Sequence, residues 1–513
     1  MESVAEFLEE RAGESQDEVA EVLSATAAMA RDPELLEGAQ TAVREEGTHP
    51  AAAVLRVGER YAAALAASDN EYLAARAADV RDVGARAARR LLGEPDPDLT
   101  SLSEPSVVVA SDLAPAEVAM IDPALVRALV TVQGSRTSHA AIIARSMSIP
   151  AVVGVREVLS EVSSGMLVAV DGDTGEVLVE PDAATAAEFE QRAEQRAQRR
   201  ASLQHLVDKD AATADGHRVE LGVNLASSQE VESALQEGAR GVGLLRTELF
   251  FLDRSEPPTE DEQAELFGLV AERMPERVVV RTFDIGADKP VPFIDADAAP
   301  NPALAVRGLR LARAHPELLL TQLRAVARAA DRGRLAVMAP MVATIDEANW
   351  FRERCEEAGC VDRGVEIGIM VEIPSAVLMA DALSEVVDFM SIGTNDLGSY
   401  LHAADRQEGS LAHLQDPFSP ALLRAVEHVC RGAGEGAWVG VCGEAAGDPL
   451  WACVAVGLGV SELSMGPGSL LETKAALGRV TLSECKSAAQ RALATVDAGS
   501  ARAAAEPLLR EET

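Results

Sequence analysis

Lysine is almost missing from this chain. Lys209, Lys289, Lys474 and Lys486 are the only four, and every other basic side chain is an arginine. No apolar run approaches the ~18 residues that a membrane span needs; stretches such as LAVMAPMV (335–342) stop well short. No basic segment followed by an apolar run stands at Met1, so no secretory signal is read. There is no CxxC pair. The six cysteines (355, 360, 430, 442, 453 and 485) all fall in the last third, and none has a metal-spaced histidine beside it. Free thiols in a reducing cytosol are therefore expected rather than a disulfide framework. Positive charge is scarce overall: 83 acidic against 46 basic residues leave a net charge of −37. Such a field repels nucleic acid and anionic lipid, so neither is expected as a partner. Any anionic substrate must be held by cations clustered locally against the global sign.

What is present supports a large folded chain. The 513 residues suggest about three domains, with a barrel able to take a larger share, and 48% apolar residues supply a core. Residues 1–97 read as helices rich in Glu, Ala, Arg and Leu, ending in the break GEPDPDLTSLSEP. Residues 104–183 change character. Short β-branched runs (SVVVASDL, ALVTV, IPAVVGV, MLVAVDG, EVLVEP) surround one helical segment, SHAAIIARSM, as in a small α/β domain. Residues 184–214 hold a charged, Gln-rich helix with little apolar face, read as a solvated linker.

From 215 to 490 eight apolar strands alternate with helical stretches: RVELGVNL, GVGLLRT, RVVVRTFD, LAVMAPMV, EIGIMVEIP, DFMSIGTND, AWVGVCGE and ELSMGPG. Their number and spacing match a (β/α)8 TIM barrel, and continuously apolar strands suit parallel strands buried on both faces. An Ala-rich tail, 491–513, follows.

Polar residues collect at the C-terminal ends of these runs, where barrel active sites lie. Arg246, Arg281, Arg307 and Arg406 stand at strand ends or in following loops. Arginine presents a planar fork to phosphate and carboxylate oxygens, so the group favours a small di- or trianionic substrate. Glu372 in MVEIPSA and Asp396 in GTNDLGS suit a hard divalent cation, with magnesium first; pairing with the arginines is an equal reading on spacing alone. Cys442 in GVCGEAAGDP lies between small residues that let a ligand approach and is a candidate acid or base. In the small domain, His139 opens an apolar helix that Thr137 or Ser138 can cap. A phosphate on its ring would meet the unpaired N–H donors and positive dipole end of that helix.

Taken together, GSRTSHAAIIARSMSIPAVVG (134–154) resembles the phosphohistidine signature of the phosphoenolpyruvate-utilising enzymes. GLLRTELFFLDR, VVRTFDIGADKP, NPALAVRGLR, MVEIPSA, SIGTNDLGSYLHAADR and GVCGEAAGDP resemble, in order, the barrel motifs of the enzyme I family of the bacterial sugar phosphotransferase system. The resemblance implies that His139 is phosphorylated by phosphoenolpyruvate. It implies that Arg246, Arg281, Arg406 and Asn395 hold the phosphate, that the Asn395–Asp396 loop also meets the carboxylate, and that Arg307 and Lys289 line the pocket. Glu372 and Asp396 would bind Mg2+, and Cys442 would protonate enolpyruvate to give pyruvate. The phosphoryl group would then pass to the carrier protein HPr, docked on the helical subdomain. A cytoplasmic homodimer joined through the barrel, with a phosphohistidine domain that swivels on the linker, completes the expectation.

Two departures from the family pattern stand out. The family's opening strand with an S-P-G-like motif and its long first helix do not show, which implies an exposed sheet edge and weaker carrier docking. Ser135 stands where the family usually has glycine. A shortened regulatory relay protein that binds phosphoenolpyruvate but transfers poorly is therefore the second reading. A pyruvate phosphate dikinase or phosphoenolpyruvate synthase is the third, weakened because only 138 residues precede His139 and none forms a Gly-rich nucleotide loop.

Overall fold

The computed structural model describes the chain apart from residues 1, 15–25, 67–76, 94–101, 103, 114–117, 119–120, 123, 134–143, 145–148, 173, 229, 253, 255, 287–290, 292, 295–298, 300, 406–408 and 510–513. It divides into two compact units, Met1–Ala197 and Gln198–Thr513, and the border falls inside the linker helix Ala183–Leu203.

The first unit opens with helices Glu2–Glu14, Pro33–Glu46, Pro50–Ala66 and Ala77–Leu92, as the composition predicts. Local chemistry sets their ends. The Asp32 side chain accepts from the Glu34 N–H and caps the second helix, Pro33 starts it, and Gly47 at φ 65° closes it. Val4, Leu8, Val83 and Ala87 form the center of their core. Strands β1 (Ser106–Ala110), β2 (Val126–Thr131) and β3 (Ala151–Val152) follow in parallel order. β4 (Val168–Asp171) and β5 (Glu176–Val179) form an antiparallel hairpin. All five β-branched runs are strands. The expected helix at 138–147 lies outside the described residues except for Ala144, which is buried.

The second unit is a closed barrel of eight parallel strands: β6 (Glu220–Leu225), β7 (Gly241–Arg246), β8 (Val278–Arg281), β9 (Leu335–Ala339), β10 (Glu366–Val371), β11 (Phe389–Ile392), β12 (Trp438–Val441) and β13 (Glu462–Met465). They pair in chain order, and β13 closes onto β6. Each falls in one of the eight apolar runs. The two-residue alternation of a strand sorts the barrel into two cores. Leu221, Val223, Val278, Val280, Val337, Ile369 and Val439 face the surrounding helices. Leu244, Val279, Ala336, Met338, Met370, Phe389 and Cys442 face the lumen. Thr259/Glu262, Thr344/Glu347 and Thr481/Glu484 form reciprocal capping boxes at three outer helices. The Ala-rich stretch folds as helix Ala498–Ala505, with Ala501 and Ala505 buried in the outer core.

The N-terminal mouth of the barrel is plugged. Trp438 stacks on Phe389 with centroids 4.3 Å apart, and the Arg277 guanidinium lies 3.8 Å over the indole. Arg277 pairs with Glu220 and, at 2.9 Å, with Glu366. The Trp438 indole N–H also donates to Glu366. No described helix is long and apolar enough to cross a membrane.

Candidate active site

Arg246 and Arg281 end adjacent strands and are register partners. Their surroundings differ. Arg281 is 7% exposed; it donates to Glu248, and its Nη1 lies 3.6 Å from Asp284. Burial alone would lower its pKa, but Glu248, Asp284 and Glu372 outweigh that and hold it charged. Arg246 is partly exposed and has no ion-pair partner among the described residues. The loops after both strands are tied by a buried network. Thr247 donates to the Arg281 carbonyl at 2.9 Å, and Gln322, from helix Pro316–Ala329, donates to Thr247 and accepts from the Phe283 N–H.

Arg307 grips both oxygens of Asp284, at 3.2 and 2.6 Å, and its Nη2 stands 3.8 Å from Asp396. Gly286 makes this possible: a Cβ there would sit 2.4 Å from that of Arg307. Glu372 is 1% exposed, and its Oε1 accepts from the Met341 N–H at 2.7 Å. Met341 holds φ at 60°, an unusual conformation for a side chain of its size, and so aims that N–H. Gly393 lies against Glu372, which brings the Asn395–Asp396 turn alongside.

Cys442 follows β12 and is 3% exposed, with its thiol 3.7 Å from the Ile392 carbonyl. Burial pushes it up to about 12. Ser391 and Arg281 pull it down, while Glu462 and Glu372 push it further up. A thiol held neutral has a proton to give and is no base at physiological pH. The small residue beside it serves a different purpose from the one expected. A Cβ at Gly443 would stand 1.8 Å from Thr394 Oγ1, so the glycine admits a neighbouring loop rather than a ligand. That contact locks the two loops together, and the Glu444 N–H donates to Asn395 Oδ1 at 3.3 Å.

One mouth therefore collects Arg246, Arg281, Arg307, Glu372, Asn395, Asp396 and Cys442. His139, Lys289 and Arg406 lie outside the described residues. Sequence reasoning passed over Glu248, Asp284, Gln322 and the Met341 N–H. The two carboxylates carried a faint signal, each standing two or three residues after a motif arginine.

Four carboxylates (Glu248, Asp284, Glu372, Asp396) meet three guanidiniums here. Burial, then Asp396 and Asp284, raise the Glu372 carboxyl to about 8, against Arg281 and Arg307. Its proton is favoured in the fold, so the stabilisation is full below pH ~4.5 and is lost as pH climbs through about 8. With a chelator present, the unfolding temperature should fall between pH 6 and pH 9, by an amount worth on the order of a few kcal/mol. Because Glu462 is raised to the same value, Glu372→Gln should remove about half of that fall, and calorimetry across the range checks it; an unchanged slope would contradict the assignment.

Three family models match this chain: the PEP-utilising enzyme PEP-binding domain over residues 200–482, the mobile domain over 102–175 and the N-terminal domain over 1–76. Among curated relatives, the phosphoenolpyruvate-protein phosphotransferase of Streptomyces coelicolor is 46% identical over 519 residues, spanning 100% of this chain and 91% of the relative. That of Staphylococcus carnosus is 40% identical over 472 residues, spanning 90% of this chain and 82% of the relative. That of Bacillus subtilis is 38% identical over 484 residues, spanning 92% and 85%. The chain belongs to the PEP-utilising enzymes, alongside the phosphoenolpyruvate-protein phosphotransferases.

Proposed function

We propose that this protein moves the phosphoryl group of phosphoenolpyruvate to its own His139, releases pyruvate, and passes the group to a histidine of an HPr-type carrier, the first step of a sugar phosphotransferase system. The observation that carries the reading is the charge inventory of the barrel mouth. Arg246 has no carboxylate partner among the described residues, so its fork is available to a phosphate. Arg281 and Arg307 are held rigidly by Glu248 and Asp284 and add fixed positive potential without reorganising. Arg406, Lys289 and Asn395 would supply further donors to the substrate.

The donor set fits magnesium. Among the described residues, no group of three or more His, Cys, Asp or Glu side chains is placed to hold a metal alone. Magnesium is commonly bound by one or two carboxylates plus substrate oxygens, which matches Glu372 with Asp396. When bound, the ion would neutralise phosphate and carboxylate oxygens that the arginines do not reach. The chain's own residues then do the rest. The arginines orient the phosphate, the Met341 N–H holds Glu372 in place, and the neutral Cys442 thiol gives its proton to carbon three of enolpyruvate. Relaxation to the ketone makes the transfer downhill.

Incubation with phosphoenolpyruvate, magnesium and purified HPr tests this directly. Pyruvate release, an acid-labile adduct on His139 by mass spectrometry and phosphorylated HPr are the expected results. Excess EDTA should stop turnover. Absence of the His139 adduct would overturn the scheme. Pyruvate release without HPr phosphorylation would favour the shortened regulatory reading. Cytoplasmic location and pairing through the barrel domain belong to the same reading, and sedimentation as a monomer at all concentrations would contradict the pairing.

A further inference from the structure

One layer below the mouth, the lumen holds an acid that the proposed reaction does not use. Glu462 opens β13, is 4% exposed, and has no hydrogen-bond partner among the described residues on either carboxyl oxygen. Glycines on three other strands make its space. A Cβ at Gly243 would stand 2.0 Å from Oε1, one at Gly222 3.0 Å from Oε1, and one at Gly440 2.2 Å from Oε2. A buried polar group without a partner is costly and asks for a reason. Burial, with Glu220 nearby, pushes this carboxyl up to about 8 against the pull of Arg277. It therefore keeps its proton at neutral pH.

Strand register fixes what stands beside it. Glu220 on β6 is opposite Glu462, Glu462 is opposite Gly440 on β12, and Gly440 is opposite Ser391 on β11. All four belong to the lumen-facing set, because their strand neighbours Leu221, Leu463, Val441 and Ile392 lie in the outer core. Glu462 leans over Gly440, the position between it and Ser391. The Ser391 hydroxyl is buried, has no partner of standard geometry among the described residues, and lies beside the Cys442 thiol. The two Glu462 carboxyl oxygens and the Ser391 hydroxyl thus stand in one row below the thiol. At the other end of the row, the Glu220 side chain is 38% exposed and pairs with Arg277 in the plug.

We propose that Glu462 and Ser391 form a proton inlet that reloads Cys442 from the N-terminal mouth of the barrel, the end opposite the substrate. The inference rests on the reading of Cys442 as the proton donor. In each cycle the Cys442 S–H bond breaks and a C–H bond forms at carbon three of enolpyruvate. The thiolate then takes the Ser391 hydroxyl proton, and Ser391 regains one from Glu462 through an intervening water, since the two side chains make no direct hydrogen bond. The Glu462 carboxylate regains a proton from water at the Glu220 end. The near-complete burial of the sulfur favours such a route over direct reprotonation by bulk water.

Glu462→Gln keeps the shape and removes the proton. It should leave the first turnover of pyruvate within about twofold of wild type, while steady-state turnover at saturating HPr falls at least about tenfold. The steady-state solvent deuterium isotope effect should rise, because resupply has become rate-limiting. A purely structural role would lower both phases together and leave the isotope effect alone, and that result would overturn the inlet, as would wild-type steady-state turnover. If the glutamine variant does not fold, Ser391→Ala decides the question by the same split between phases, with a smaller drop because water can replace a hydroxyl. A Cys442→Ala enzyme whose first turnover keeps the wild-type rate would remove the donor reading itself, whatever Glu462 does.

Discussion

Replacing Arg281 with methionine should unfold or severely weaken the barrel domain, whereas the same change at Arg246 should leave the fold intact and weaken substrate binding alone. The two arginines look equivalent along the chain, since each ends a strand and is followed by threonine. Their partners separate them. Arg281→Met would leave Glu248 and Asp284 buried with one of their cations gone. Breaking a buried pair in this way costs about 3–5 kcal/mol. Asp284 keeps Arg307, so Glu248 bears most of that penalty. Arg281→Lys would keep the charge but lose the fork that spans Glu248 and Asp284, and an intermediate loss is expected. Arg246→Met strands no carboxylate among the described residues. It should raise the KM for phosphoenolpyruvate by about 10- to 100-fold, the worth of one charge-assisted contact, with the unfolding temperature nearly unchanged. Thermal unfolding and steady-state kinetics of both variants check the contrast. Equal stability losses would mean that the ion pairs around Arg281 do not hold the mouth together.

That contrast marks where sequence reading stops. The eight barrel strands were legible because each is a short apolar run, and because parallel strands covered on both faces announce themselves without alternation. The candidate site was legible because its polar residues cluster where those runs end. The partners were not. Gln322 reaches Thr247 across 75 residues, and Arg307 reaches Asp284 only because Gly286 lets two loops touch. Such contacts are set by barrel closure, not by spacing along the chain. Glycine was ambiguous for the same reason. Gly443 reads as room for a ligand but makes room for Thr394, while Gly222, Gly243 and Gly440 read as ordinary strand residues and together make room for Glu462. Lumen geometry also hid Ser391, an unremarked serine inside an apolar run until register places it in the row of Glu462.

Cys442→Ala should slow pyruvate formation by about 10²–10⁴-fold, the usual worth of a positioned general acid, with little change in substrate affinity. The separation of effects follows from where the side chain lies. Its sulfur packs in the lumen among Met338, Met370 and Phe389 and is 3% exposed, so it offers little binding surface. Affinity is carried instead by the charged residues of the mouth, which the substitution leaves alone. Loss of one sulfur from the lumen should lower stability by only about 1 kcal/mol, so a large rate loss could not be laid to unfolding. Cys442→Ser keeps a proton on a harder acid and should fall between the two. Because the thiol is held up to about 12, it is fully protonated throughout the range in which the enzyme can be assayed. Wild-type turnover should therefore show no alkaline limb from Cys442 below about pH 10. Rapid-quench measurement of the first turnover separates the donor from its resupply. A Cys442→Ala enzyme with wild-type first-turnover rate would show that enolpyruvate takes its proton from elsewhere.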